Sequence, residues 1–323
     1  MGIASTARAN PELYNRHPSH VPPVLYSASV SVMRCALTVA IIFSLILFAH
    51  GQQPNPSAVA SDSPTTSNDS FCDSIGKDIQ HPEALTDACR FVLSLRNNLP
   101  NVICDQTTSR YVRPSPERFG EKLQDTVTAH VIYEDGRERY SDVRINGVVE
   151  SKKLSEVEGQ YSYGEFGTDL IFAFRAENHP VYRFLRKERF EHHHALVYEA
   201  KVSRENNNGW VIQANGHSTY PEFQAELWLD ETSHQVLRFD LTPIPESDFP
   251  LSHVELLTQY ESLALGDGTE FVLPVKSEST SCLWNGSKHR LAFCNYSILV
   301  FKDCHKFRAK SRILTDQDPG SQP

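Results

Sequence analysis

The stretch AELWLDETSHQVLRFD, residues 225–240, places apolar side chains at every second position on both sides of a short polar turn. Alternate residues of an extended chain face opposite ways, so Phe223, Ala225, Leu227 and Leu229 share one face, and Leu237, Phe239 and Leu241 resume it after the turn. A chain that repeats this pattern must pair its strands edge to edge and cover their apolar side.

The pattern does repeat. Residues 101–112 read as a strand, and residues 125–147 alternate around Asp135-Gly136, with Asn146-Gly147 as a second tight-turn signal. Residues 181–220 resume strands between Asn-rich turns, and segments 254–265, 271–279, 289–301 and 305–313 supply further candidates. No strict period recurs, which argues against a propeller or solenoid. Two segments break the strand rhythm. In HPEALTDACRFVLSLRNNLP, Pro82 suits a first helical turn, and Leu85, Ala88, Cys89, Val92 and Leu95 form one stripe that Asn98 and Pro100 end. SYGEFGTDLIFAF, residues 162–174, puts Tyr163, Phe166, Leu170 and Phe174 near a common helical face and reads as a short helix interrupted by two glycines. The expected architecture is a meandering antiparallel sheet with one or two helices on its apolar side.

Ahead of these strands the chain reads as a set of processing segments. MRCALTVAIIFSLILFAHG, residues 33–51, has a basic start, an apolar run from Cys35 to Ala49 and a small-x-small site before Gln52. The run is short for a membrane span, so a cleaved export signal is the reading, with a retained anchor as the alternative. Residues 1–32 do not resemble a signal's basic start and read as a spurious or disordered extension before a true start at Met33. Residues 52–70 are a Pro, Ser and Thr linker, 71–314 a single β-rich domain, and 315–323 a frayed tail. The product would be soluble after cleavage, in the periplasm or secreted.

Of seven cysteines, Cys35 leaves with the signal. Cys72, Cys89, Cys104, Cys282, Cys294 and Cys304 remain, an even number in an exported chain, which reads as up to three disulfides. They cluster three and three, so if all pair, at least one bridge joins the two ends of the domain. Which cysteines pair stays open. A zinc site is the competing reading, but no Cys-x-x-Cys spacing supports it.

The net charge of −9 on 323 residues, with no basic block, argues against nucleic acid or an anionic lipid surface as partner. No G-x-S-x-G, H-E-x-x-H, G-x-G-x-x-G or Walker motif occurs, and no cofactor is implied. His192, His193 and His194 are the one conspicuous chemical cluster. Read as a strand, His192 and His194 share one face and His193 the other; a metal would need a third ligand such as His179, His217 or Glu199, and the spacing compels none of them. A solvated strand face or a pH-responsive contact are the other readings. Asp230-Glu231 is an acidic pair on a hairpin turn, more in keeping with a solvated turn than a catalytic dyad.

The segments NNLPNVICDQTTSRY, YSYGEFGTDLIF, ERFEHHHALVYEAKV, AELWLDETSHQVLRFD, GTEFVLPVKSE and FCNYSILVFK, within residues 80–313, resemble uncharacterised exported proteins of the Acidobacteria type. These in turn resemble, at a distance, the periplasmic lipoprotein-carrier superfamily of LolA, LolB and RseB. The hairpin with Trp228, Asp230, Thr232, Val236 and Leu237 carries most of that second likeness, although Ser233-His234-Gln235 stands where the carriers' turn has glycine. The resemblance implies a mainly β, α+β fold, with a strongly curved antiparallel sheet wrapped around one or two helices as a half-barrel. It also implies a non-catalytic binding module for a lipid or lipoprotein acyl chain, or a sensor domain with a filled cavity that meets an envelope protein partner. A metal-dependent enzyme using His192–His194 is the third reading. The apolar wall of a cavity would then fall to Phe166, Phe190, Tyr198, Phe223, Trp228 and Phe239.

Overall fold

The computed structural model describes residues 3–8, 64–113, 120–134, 136–266, 268–284 and 291–307. Its strands are β1 (Ile3–Arg8), β2 (Val102–Arg113), β3 (Lys122–Glu134), β4 (Arg137–Ile145), β5 (Val148–Val149), β6 (Gly159–Tyr161), β7 (Val181–Phe190) and β8 (His193–Val202). Beyond these come β9 (Trp210–Ala214), β10 (His217–Thr219), β11 (Glu222–Asp230), β12 (Val236–Ile244), β13 (Leu251–Ala264), β14 (Glu270–Trp284) and β15 (Leu291–Lys306). The helices are α1 (Pro64–Ile75), α2 (Pro82–Asn98) and α3 (Thr168–Phe174). No helix among the described residues is long and apolar enough to cross a membrane. The expected export signal at 33–51 lies outside the described residues.

Eleven strands form one antiparallel sheet in the order β5-β4-β3-β2-β15-β14-β13-β12-β11-β8-β7. A second sheet, β10-β9-β1-β6, contains one parallel pair, β1 with β9. The expectation of a strongly curved sheet wrapped around helices as a half-barrel is overturned: the large sheet is open, and with its helices and second sheet the fold is mixed α/β. The reason lies in the end strands. β5 has two residues, too few to zip against another edge. β7 carries Arg183, Arg186, Lys187, Glu188 and Arg189 with a register shift between Phe184 and Arg186, features that keep an edge from further pairing.

Cross-strand partners lie on the same face, so registers can be followed across the sheet. One row runs Val127, Thr108, Leu299, Ser277, Thr258, Phe239, Leu227, Tyr198. All eight are buried. The next row runs Arg110, Ser297, Ser279, Leu256, Leu241, Ala225, Ala200, and it is buried as well. The covered face is therefore apolar toward β8 and polar toward β2, β15 and β14.

The apolar part packs against α2, whose Ala84, Leu85, Ala88, Cys89, Val92 and Leu95 are the stripe the sequence spelled out. Each large side chain buried there stabilises the fold by roughly 1.5–3 kcal/mol. Pro82 starts the helix, and Leu99 leaves it in extended conformation before Pro100. The segment 162–174 is helical only from Thr168; Gly164 and Gly167 have φ of 111° and 119°, so residues 162–167 form a loop instead.

Candidate functional site

The polar part of the covered face is the most unusual feature of the molecule. Arg110 on β2 makes a two-pronged ion pair with Asp125 on β3 at 2.6 and 2.7 Å and donates to the carbonyl of Glu158. Gln160 on β6 donates to the Ser279 hydroxyl at 2.6 Å and accepts from the Ser281 hydroxyl at 3.2 Å. Thr258 and Ser277 hydroxyls meet at 3.1 Å. Beside Arg110 and Gln160 lies a cavity of about 10 Å³, lined also by Gln106, Thr108 and Ser162 among others. It is about the size of one water, and Gln106, one of its lining residues, leaves its Oε1 without a hydrogen-bond partner.

Beside it, the loop 162–167 folds over three carboxylates. Glu138 on β4 accepts from the backbone N–H of Gly164 at 3.1 Å and of Phe166 at 3.0 Å, and from the Tyr140 hydroxyl at 2.9 Å. Glu165, fully buried, accepts from the Ser162 hydroxyl with one oxygen and has no partner on the other. Asp169, in the first turn of α3, accepts from the Trp210 indole N–H at 3.0 Å. Burial raises all three above the ordinary carboxylate range, and mutual repulsion adds to it at Glu165 and Asp169. Glu165 reaches about 7, from burial first and the Glu138 charge second, against the opposing Ser162 hydrogen bond. Gly164 is required here: a Cβ would lie 2.6 Å from Asp169 Oδ1. The neighbouring phenols of Tyr140 and Tyr260 are likewise pushed up by burial first, with the nearby carboxylates adding to the rise. The centre is buried, and its hydrogen bonds tie β4, the loop, α3 and β9 together.

Sequence reasoning did not find this centre. The available signal was DQTTSR, residues 105–110, a strand segment polar on both faces and so at odds with an apolar covered face.

The six apolar-wall residues separate into three groups. Tyr198, Phe223 and Phe239 lie in the main core under α2. Phe166 joins a second cluster with Tyr133 and Phe301. Phe190 and Trp228 belong to a small cluster with Ala195, Val197 and Leu237 on the opposite face of the sheet. There Trp228 lies between the guanidinium groups of Arg186 and Arg238, at 5.1 and 5.2 Å.

The histidines sit at a hairpin. Glu191, with φ of 52°, and His192 make the turn, so His192 is not a strand residue and does not share a face with His194. His193 Nδ1 lies 2.8 Å from Asp230 Oδ2, which joins this hairpin to the β11–β12 turn. No group of three His, Cys, Asp or Glu side chains among the described residues is placed to hold a metal ion. Asp230 itself organises its turn, accepting from the backbone N–H of Thr232 and Ser233 and from the Ser233 hydroxyl. Burial would raise its carboxyl, but these donors and His193 outweigh it and hold it at about 2. His234 supplies the positive φ, 59°, that the missing glycine would have taken, and its ring meets Asp87 of α2 at 2.8 Å.

All six cysteines pair, as Cys72–Cys89, Cys104–Cys304 and Cys282–Cys294. The first joins α1 to α2, and the other two cross between neighbouring strands. Cys104–Cys304 is the bridge between the two ends of the domain.

No protein-family model matches the chain, and no curated protein matches its sequence. Solved structures do. A LolA superfamily protein from Nitrosomonas europaea shares 10% identity over 68% of this chain and 91% of its own, with a TM-score of 0.29. A DUF1329 family protein from Desulfovibrio piger shares 9% over 77% of this chain and 95% of its own, at 0.33. A candidate outer membrane lipoprotein-sorting domain from Vibrio parahaemolyticus shares 9% over 72% and 93%, at 0.29. All three likenesses are distant, at 9–10% identity and TM-scores of 0.29–0.33.

Proposed function

We propose that this chain is an exported, non-catalytic interaction module whose core is filled by its own side chains and whose partner is another polypeptide of the envelope. One observation carries the reading. Tyr198, Phe223 and Phe239, the residues best placed to wall an acyl-chain site, are at most 2% exposed under α2, and the Tyr198 hydroxyl donates to the His81 carbonyl at the head of that helix. A lipid would have to displace α2 to reach them. Three disulfides support export to an oxidising compartment, the periplasm or the exterior, together with the apolar segment at 33–51. The test is displacement of a fluorescent fatty acid at micromolar protein. No binding is expected; saturable binding relieved by a lipid would replace this reading with that of a lipid carrier.

A further inference from the structure

Strand β1 is held on both sides. It runs parallel to β9, from Ile3 opposite Trp210 to Ala7 opposite Ala214, and antiparallel to β6, from Thr6 opposite Tyr161 to Arg8 opposite Gly159. Take it away, and β6 has no strand partner among the described residues, while β9 keeps only β10. Two strand edges would then face each other across a gap one strand wide, about twice the 4.8 Å interstrand spacing.

Both walls of that gap are anchored independently of β1. Gln160 of β6 is bound to Ser279 and Ser281 of the large sheet, and the Tyr161 hydroxyl donates to the Ser155 carbonyl. On β9, the Trp210 indole is bound to Asp169, and its backbone N–H and carbonyl are both bound by Asn207. With β1 in place Gln160, Tyr161, Trp210, Val211, Ile212 and Ala214 are all buried. Backbone N–H and carbonyl groups in such a place need partners, and fixed walls cannot close up to supply them to each other. The gap accepts a strand.

The segment that fills it, IASTAR, precedes the export signal at 33–51, so cleavage before Gln52 would detach it. We infer that the β6–β9 gap is a strand-accepting site, which in the exported protein receives an extended, proline-free segment of about six residues from a partner polypeptide, by strand addition. This rests on the interaction reading above and names the chemistry of the partner segment.

The test begins with the full chain and a Ser5→Pro/Thr6→Pro variant, which removes β1 pairing without touching either wall. Hydrogen exchange at residues 159–161 and 210–214 is followed by mass spectrometry, with and without a synthetic IASTAR peptide. The variant should exchange at least tenfold faster at these amides, and the peptide, but not one with proline at its centre, should restore protection. Equal exchange in variant and parent, or no rescue by the peptide, would overturn the site. N-terminal sequencing of the protein exported by its host should begin at Gln52; a chain retaining residues 3–8 would overturn the partner's role while leaving the gap to its own strand. Fatty-acid binding with intact peptide rescue would instead sink the interaction reading and leave the acceptor site standing.

Discussion

Glu165 shows how one side chain can set the response of a whole domain to pH. Its folded-state carboxyl is raised from the ordinary 4.5 to about 7, so its neutral form is the one the fold prefers. Stability from this group is fully present below about pH 4.5 and is lost as the pH rises to about 7, because the unfolded chain releases its proton earlier. The loss is on the order of 3 kcal/mol. Glu165→Gln imitates the protonated form and should remove most of this slope. Thermal melts of variant and parent from pH 4 to 8 should coincide near pH 4 and separate above 6, with the variant more stable. Residues of this kind were not legible in the sequence. Glu138, Glu165 and Asp169 are 27 and 4 positions apart in order, and only the fold gathers them under one loop.

At the scale of elements, local pattern predicted well. α2, β2 and the β11–β12 hairpin fall where periodicity and capping residues put them, and Asn146-Gly147 turns β4 into β5 with φ of 51° and 81°. The β11–β12 turn differs in its chemistry, since Asp230 replaces the expected glycine's role by accepting three local donors while His234 takes the left-handed conformation. Asp230→Ala should therefore destabilise the protein by about 1–2 kcal/mol at neutral pH, as the loss of a capping residue does. The Asp230 carboxyl is depressed to about 2, so its contribution is present above about pH 4 and is lost as the pH falls toward 2. Urea titrations of both proteins at pH 7 and pH 2.5 should show the difference shrinking in acid.

The molecule as a whole is held by a bridge spanning almost the entire large sheet in sequence. Cys104–Cys304 closes a loop of 200 residues, against 12 for Cys282–Cys294. Chain entropy gives about 5 kcal/mol for the long loop and about 3 kcal/mol for the short one. Replacing Cys104 and Cys304 together by serine should lower stability to denaturant more than replacing Cys282 and Cys294; equal losses would show that the long bridge acts through something other than loop closure. The sequence by itself determined that the chain is strand-rich, that α2 lies with a stripe buried, and that six cysteines are left for up to three disulfides, at least one of which must join the domain's ends if all of them pair. These follow from periods of two and 3.6 residues, from turn chemistry and from counting. Only the tertiary structure decided that the large sheet stays open, that half its covered face is polar, that Phe190 and Trp228 turn away from Tyr198, and that β6 and β9 frame a gap for a strand. Each of those depends on which distant strands become neighbours and in what register, and no pattern confined to a few successive residues carries that information.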